Sequence, residues 1–232
     1  MKNITNYILL IAAIGCFASC AKDNYDAPNA TLKGRIVYNG QPINVEYNQV
    51  RFQLWESGYV NVKPIDVTIA QDGGYSAMLF NNTYKLTFPG GQGPFMTKQN
   101  GAAKDTIVVN LSGNQELDIE VLPYYMVRDA QFTASAGNIA STFKLEKIIN
   151  DANAKNIDRV TLYINKTQFV SEGNNVAKTS INGADITNPN SVNLSVAIPS
   201  LVPAQNYVYA RIGVRIANVE DWIFSDVKKI TF

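Results

Sequence analysis

From residue 30 onward the chain alternates apolar and polar residues with period two, in short runs broken roughly every ten residues by Gly, Asn, Asp or Pro. A period of two sends successive side chains to opposite faces of a strand, so each run has one face to bury and one to leave in water. The run 50–55 is the plainest: Val50, Phe52 and Leu54 fall on one side, Arg51, Gln53 and Trp55 on the other. Runs at 31–37, 62–70, 74–80, 84–88, 106–111 and 117–122 share this character, as do 131–136, 141–148, 159–164, 192–198, 207–216 and 223–232. Turns fall at Asn39-Gly40-Gln41-Pro42, Gln71-Asp72-Gly73-Gly74 and Ser112-Gly113-Asn114, where Gly and Asn tolerate positive φ. Residues 89–104 read as a Gly-rich loop and 171–190 as a polar excursion. The expectation is an all-β chain of two consecutive β-sandwich domains, since the usual domain size favours two cores over one. The boundary is expected near Tyr125, giving domains at 30–125 and 126–232.

Residues 1–19 stand apart from this pattern. Met1-Lys2 precedes an apolar stretch at 8–17 and the small pair Ala18-Ser19, the layout of an export signal. The stretch is too short to span a bilayer, which takes about 20 apolar residues. Phe17-Ala18-Ser19-Cys20 resembles the lipobox of bacterial lipoproteins, in which the Cys is acylated and becomes the first residue of the mature chain. Phe17 in place of the usual Leu resembles the looser form found in Bacteroidetes-type bacteria; the alternative is an ordinary cleaved signal that ends near a Cys. Residues 20–29 would then be a lipid-anchored linker reaching at most roughly 30 Å. Lys22-Asp23 with Asp26 resembles the short acidic signal that sends some such lipoproteins to the outer face of the outer membrane, or is a plain spacer.

Composition excludes several kinds of chemistry. Loss of Lys2 with the signal reduces 20 basic residues to 19, matching the 19 acidic ones. That balance offers no basic surface for nucleic acid. The chain has no histidine, which removes Ser-His-Asp and Cys-His nucleophile systems and His-ligated zinc. Of the two cysteines, Cys16 leaves with the signal and Cys20 would carry lipid, so no disulfide is expected. A carboxylate pair acting on a glycoside needs no histidine. The expectation is nevertheless a protein without enzymatic activity, cofactor or metal.

Several motifs in order carry a family resemblance. Gly34-Arg35-Ile36-Val37, Gly40-Gln41-Pro42, Asp72-Gly73-Gly74-Tyr75, Thr83-Tyr84-Lys85-Leu86 and Val121-Leu122-Pro123-Tyr124 resemble the transthyretin-like, or carboxypeptidase regulatory-like, domain. With Asp105-Thr106-Ile107-Val108-Val109 they resemble the first half of a family of two-domain Bacteroidetes lipoproteins of uncharacterised function. Leu201-Val202-Pro203-Ala204-Gln205-Asn206-Tyr207 resembles the corner of fibronectin type III domains, where the Tyr hydroxyl bonds back to the backbone. The second domain is therefore expected to be immunoglobulin-like. The resemblance implies an accessory lipoprotein beside a TonB-dependent transporter and its lid lipoprotein, in a nutrient-uptake system of the starch-utilisation type. Its partners would be the membrane, that transporter and a glycan.

Candidate contacts for a glycan are few. Trp222 follows Glu220 and Asp221 in a loop, and an aromatic face beside carboxylates suits a sugar, whose CH groups stack while its hydroxyls find polar partners. The competing reading places Trp222 in the last strand, covering the core. Trp55 points away from the apolar face of its strand and has Tyr59 nearby; this pair reads as a binding platform, a domain contact or part of a turn. Tyr124 and Tyr125 are expected to wedge the two domains together. Asp105-Thr106-Ile107 resembles the O-glycosylation acceptor of exported Bacteroidetes proteins, with Thr106 as the acceptor. The Gly-rich run 89–95 lacks the Gly-Lys-Ser/Thr ending of a phosphate loop. Residues 151–162 begin like a calcium loop but place Lys155, Asn156 and Leu162 where the site needs a ligand, a Gly and a Glu.

Overall fold

A computed structural model describes residues 26–58, 63–97 and 106–232. Cys20, Lys22, Asp23 and Tyr59 lie outside the described residues. Among those residues the chain is all-β, with no α-helix and one 3₁₀ turn at Gly183–Asp185. The first domain contains β1 (Ala30–Tyr38), β2 (Gln41–Pro42), β3 (Arg51–Glu56), β4 (Ile65–Thr68), β5 (Gly74–Leu79), β6 (Asn82–Thr87), β7 (Phe95–Thr97), β8 (Ile107–Leu111), β9 (Gln115–Glu116) and β10 (Ile119–Pro123). The second contains β11 (Tyr125–Ser135), β12 (Asn138–Lys147), β13 (Ile157–Asn165), β14 (Ala177–Asn182), β15 (Val192–Ala197), β16 (Tyr207–Ile216), β17 (Ile223–Phe224) and β18 (Lys228–Thr231).

β1 is the hub of the first domain. It pairs antiparallel with β5 over Ala30–Arg35 and parallel with β10 at Ile36 and Val37. Its period-two face buries Ala30, Leu32 and Ile36. Gly34 lies on the same face, where a Cβ would run into the Leu117 carbonyl, so only glycine lets β1 approach that segment. The second sheet, ordered β4-β3-β6-β8, faces inward through Phe52, Leu54, Tyr84, Leu86, Val109 and Leu111. The second domain packs β11-β12-β15 against β14-β13-β16-β17, with β18 also on β16. Ile139, Phe143, Val160, Leu162, Ile212 and Val214 are among the side chains of its core. Tyr124 and Tyr125, where β10 passes into β11, are both buried.

Four local expectations are corrected. The polar excursion at 171–190 contains β14, whose side chains alternate between half-buried and exposed. An edge strand of this kind has no apolar row to betray it. The Gly-rich loop contains β7, which pairs with β10 through backbone bonds independent of side-chain pattern. The last strand is broken in two because Ser225 turns toward β16, its N–H bonding the Ile212 carbonyl at 2.9 Å and its Oγ accepting the Ile212 N–H at 3.0 Å. Finally, Tyr207 does not pin the corner. Its ring is under Lys229 and edge-on to Tyr209, and among the described residues its hydroxyl meets no backbone acceptor. Gln205 ties this segment instead, with Nε2 donating to the carbonyls of Tyr207 at 2.6 Å and Lys166 at 3.3 Å.

Candidate functional site

The stretch around Trp222 is a packed junction, not an open platform. Phe224 pairs with Gly213 on β16, and Trp222, two residues earlier, projects to the same side. That side faces the first domain. Trp222 is 6% exposed and clusters with Tyr163, Phe224 and Val170. The Trp222 and Phe224 rings lie 6.3 Å apart and nearly parallel, with the Arg159 guanidinium 5.3 Å from the Trp222 ring. Gly213 makes room for the cluster, since a Cβ there would press on the Phe224 and Tyr163 rings at 2.8 Å. Asp221 is 7% exposed, and its Oδ2 accepts the Gly93 N–H at 2.7 Å. Burial pushes the Asp221 carboxyl up, and the Gly93 bond partly offsets this. Glu220 alone of the three stays at the surface, lining a shallow groove. The expected exposed aromatic with flanking acids is thereby corrected: burial of Trp222 removes its faces from a ligand.

The seam between the domains is held by polar groups that sequence reading did not single out. Arg211 of β16 is 1% exposed; its Nη2 donates to the Gln71 carbonyl of the first domain at 2.7 Å and its Nε to the Ser225 carbonyl at 2.9 Å. The guanidinium stacks 4.2 Å from the centre of the Phe224 ring. Burial pulls its pKa down to about 9, against the opposing field of Asp226, Glu46 and Asp72. A guanidinium keeps its proton near neutrality even so, and Arg211 is charged in the folded protein. Around it Phe224 N–H bonds the Asn44 carbonyl at 3.0 Å and Asn44 Nδ2 bonds Asp226 at 2.9 Å. The only sequence signal for this seam is an Arg at an outward position of β16, and Arg215, at the same parity on that strand, is exposed, which is how a solvated Arg looks.

Trp55 has a different setting. On the outer face of the β4-β3-β6-β8 sheet it stands opposite Lys85, which in turn stands opposite Val108 on β8. Its Nε1–H donates to Thr87 Oγ1 at 3.0 Å, which fixes the indole while leaving it half-buried. Trp55, Glu56, Ser57, Gly58, Lys85, Thr87 and Thr106 line an open groove of about 540 Å³. Glu56 is oriented by the Asn82 amide, which donates to it at 2.9 Å. Thr106 is exposed just ahead of β8, outside the strand ladder. An aromatic ring, an ammonium and hydroxyls therefore share one concave surface, the kind of mixture that a sugar ring takes, whereas the Glu56 carboxylate turns to the inner face and also accepts the Tyr84 hydroxyl at 3.4 Å. Among the described residues no group of three His, Cys, Asp or Glu side chains is placed to hold a metal ion.

Residues 30–122 match the N-terminal domain, and residues 125–229 the C-terminal domain, of the protein family of unknown function DUF3823. The chain belongs to the DUF3823 family. A DUF3823 protein from Parabacteroides merdae ATCC 43184 is 34% identical, with a TM-score of 0.77 over 89% of this chain and 100% of that one. A DUF3823 protein from Bacteroides ovatus ATCC 8483 is 32% identical, with a TM-score of 0.78 over 88% of this chain and 99% of that one. A Bacteroides uniformis ATCC 8492 protein, for which carbohydrate binding is proposed, is 20% identical and shares the fold with a TM-score of 0.68 over 88% of this chain and all of its own. No curated protein matches the chain.

Proposed function

We propose that this DUF3823 protein is a non-catalytic, lipid-anchored accessory protein of the outer-membrane surface that captures glycans for a TonB-dependent uptake system. The observation that carries the reading is the Trp55 groove, where Thr87 holds an indole half open beside Lys85 and Thr106. The carbohydrate binding proposed for the Bacteroides uniformis protein of the same fold agrees with it. The lipobox-like Cys20 supplies the anchor, and the linker behind it keeps the groove close to the membrane, raising the local glycan concentration at the transporter. Affinity electrophoresis of the intact chain in gels containing soluble starch, xyloglucan, galactomannan or arabinan tests the reading. Retardation by at least one polymer supports it; unretarded migration in every gel, with no change of tryptophan fluorescence, overturns it.

A second reading is favoured by Val108, which stands 58% exposed on the same sheet face and suits a protein partner better than a sugar. Under it the protein is a structural subunit of the transporter complex without a ligand of its own. Recovery of the transporter and its lid lipoprotein with the tagged protein, lost on Val108→Glu while glycans leave the fluorescence unchanged, distinguishes this reading from capture. An extended peptide docked on a sheet edge is the remaining alternative, and hydrogen exchange with peptide and glycan ligands separates the two.

A further inference from the structure

Tyr47 and Phe169 belong to different domains, yet their ring centroids are 4.8 Å apart at an interplanar angle of 57°. Both are exposed, by 55% and 38%. The residues next to them are tied across the seam. Glu46 Oε1 accepts the Gly173 N–H at 3.4 Å, and Gln71 Nε2 donates to the Gln168 carbonyl at 3.2 Å. Gln71 is also the residue whose carbonyl receives the buried Arg211. The backbone on either side is therefore held by the domain junction while the rings themselves turn to solvent.

We infer that Tyr47 and Phe169 form a composite aromatic platform for a neutral glycan, present only when the two domains are docked. The proposal rests on the glycan-capture reading and gives it a second contact site, away from Trp55. Aromatic faces take the CH groups of a sugar, and the polar side chains within two positions on either segment that are not buried, Glu46, Asn48, Gln49, Thr167 and Gln168, supply hydrogen-bonding partners for its hydroxyls. None of these carries a positive charge, which suits a neutral sugar and disfavours a phosphorylated or carboxylated polymer.

The test is titration calorimetry of the intact chain with neutral oligosaccharides cut from whichever polymer retards it. Tyr47→Ala and Phe169→Ala are each expected to weaken binding roughly three- to tenfold. Arg211→Met, which touches neither ring, is expected to weaken it through loosening of the seam, while Trp55→Ala at the other groove acts independently. Thermal denaturation of each variant confirms folding, and both rings are exposed enough for their removal to leave the fold intact. If oligosaccharides bind and only Trp55→Ala weakens them, the platform is overturned and the capture reading stands. If the unmodified protein binds none, both fall. If the ring variants instead abolish self-association in ultracentrifugation with glycan affinity unchanged, the pair is a contact between copies and the platform is overturned.

Discussion

Arg211 Nη2 donates to the Gln71 carbonyl at 2.7 Å, and this single bond joins a strand of the second sandwich to a turn of the first. The guanidinium at the donor end is enclosed, stacked on Phe224 and backed by the Ser225 carbonyl. Removing it leaves two buried carbonyls without a donor and a void where a large side chain was. Arg211→Ala is expected to destabilise the protein by about 2–4 kcal/mol. Arg211→Met, which refills most of the volume, should cost less. Urea denaturation followed by tryptophan fluorescence measures both, because Trp222 lies in the same cluster.

Asp221 separates charge from hydrogen bonding. Burial disfavours its ionised form, whereas the Gly93 N–H needs an acceptor. Asp221→Asn keeps an oxygen for that N–H and removes the buried charge, so its stability at neutral pH should equal or exceed that of the parent. Asp221→Ala strands the N–H and is expected to cost about 1–3 kcal/mol. The same denaturation experiment reads the difference.

Glu172 gives the acid response a direction. Burial raises its carboxyl, but hydrogen bonds from Lys178 and Tyr163, together with the charges of Lys178 and Arg159, outweigh this and hold it below the usual value of 4.5. The unfolded chain therefore binds the proton more readily than the folded one. The stabilisation is present above about pH 4.5 and is lost as the pH falls through the lower folded-state value. Glu172→Gln should flatten the decline of the melting temperature over that acidic window, and the partial exposure of the group keeps the effect modest.

On the lipid-anchored reading proposed above, in which residues 1–19 form a cleaved signal, Cys20 is the sole cysteine left. Cys20→Ser is expected to shift the exported protein from the membrane to the soluble fraction. Persistence in the membrane pellet after a high-salt wash would count against the lipid anchor.

The alternation of Val50, Phe52 and Leu54 against Arg51, Gln53 and Trp55 made the faces of β3 legible, because burial there obeys the two-residue period alone. Trp55 was legible as an outward aromatic for the same reason. Trp222 was not, since it is enclosed by Phe224 together with Tyr163, Val170 and Arg159, which come from distant segments of its own domain, and no local pattern brings those together. Tyr47 and Phe169, 122 positions apart, become neighbours only through the seam. β14 escaped notice as a polar edge strand, and the corner at 201–207 carried the expected Tyr while Gln205 does its work.

The most direct measurement is calorimetric titration of the glycan that retards the protein against the parent chain, Trp55→Phe and Trp55→Ala. The groove keeps an aromatic face in Trp55→Phe but loses the Nε1–H to Thr87, so a small loss of affinity is expected there. Trp55→Ala is expected to bind about tenfold more weakly, the equivalent of roughly 1–2 kcal/mol of stacking and apolar burial. Unchanged affinity in Trp55→Ala, with the fold intact by thermal denaturation, would contradict the assignment of glycan capture to this groove.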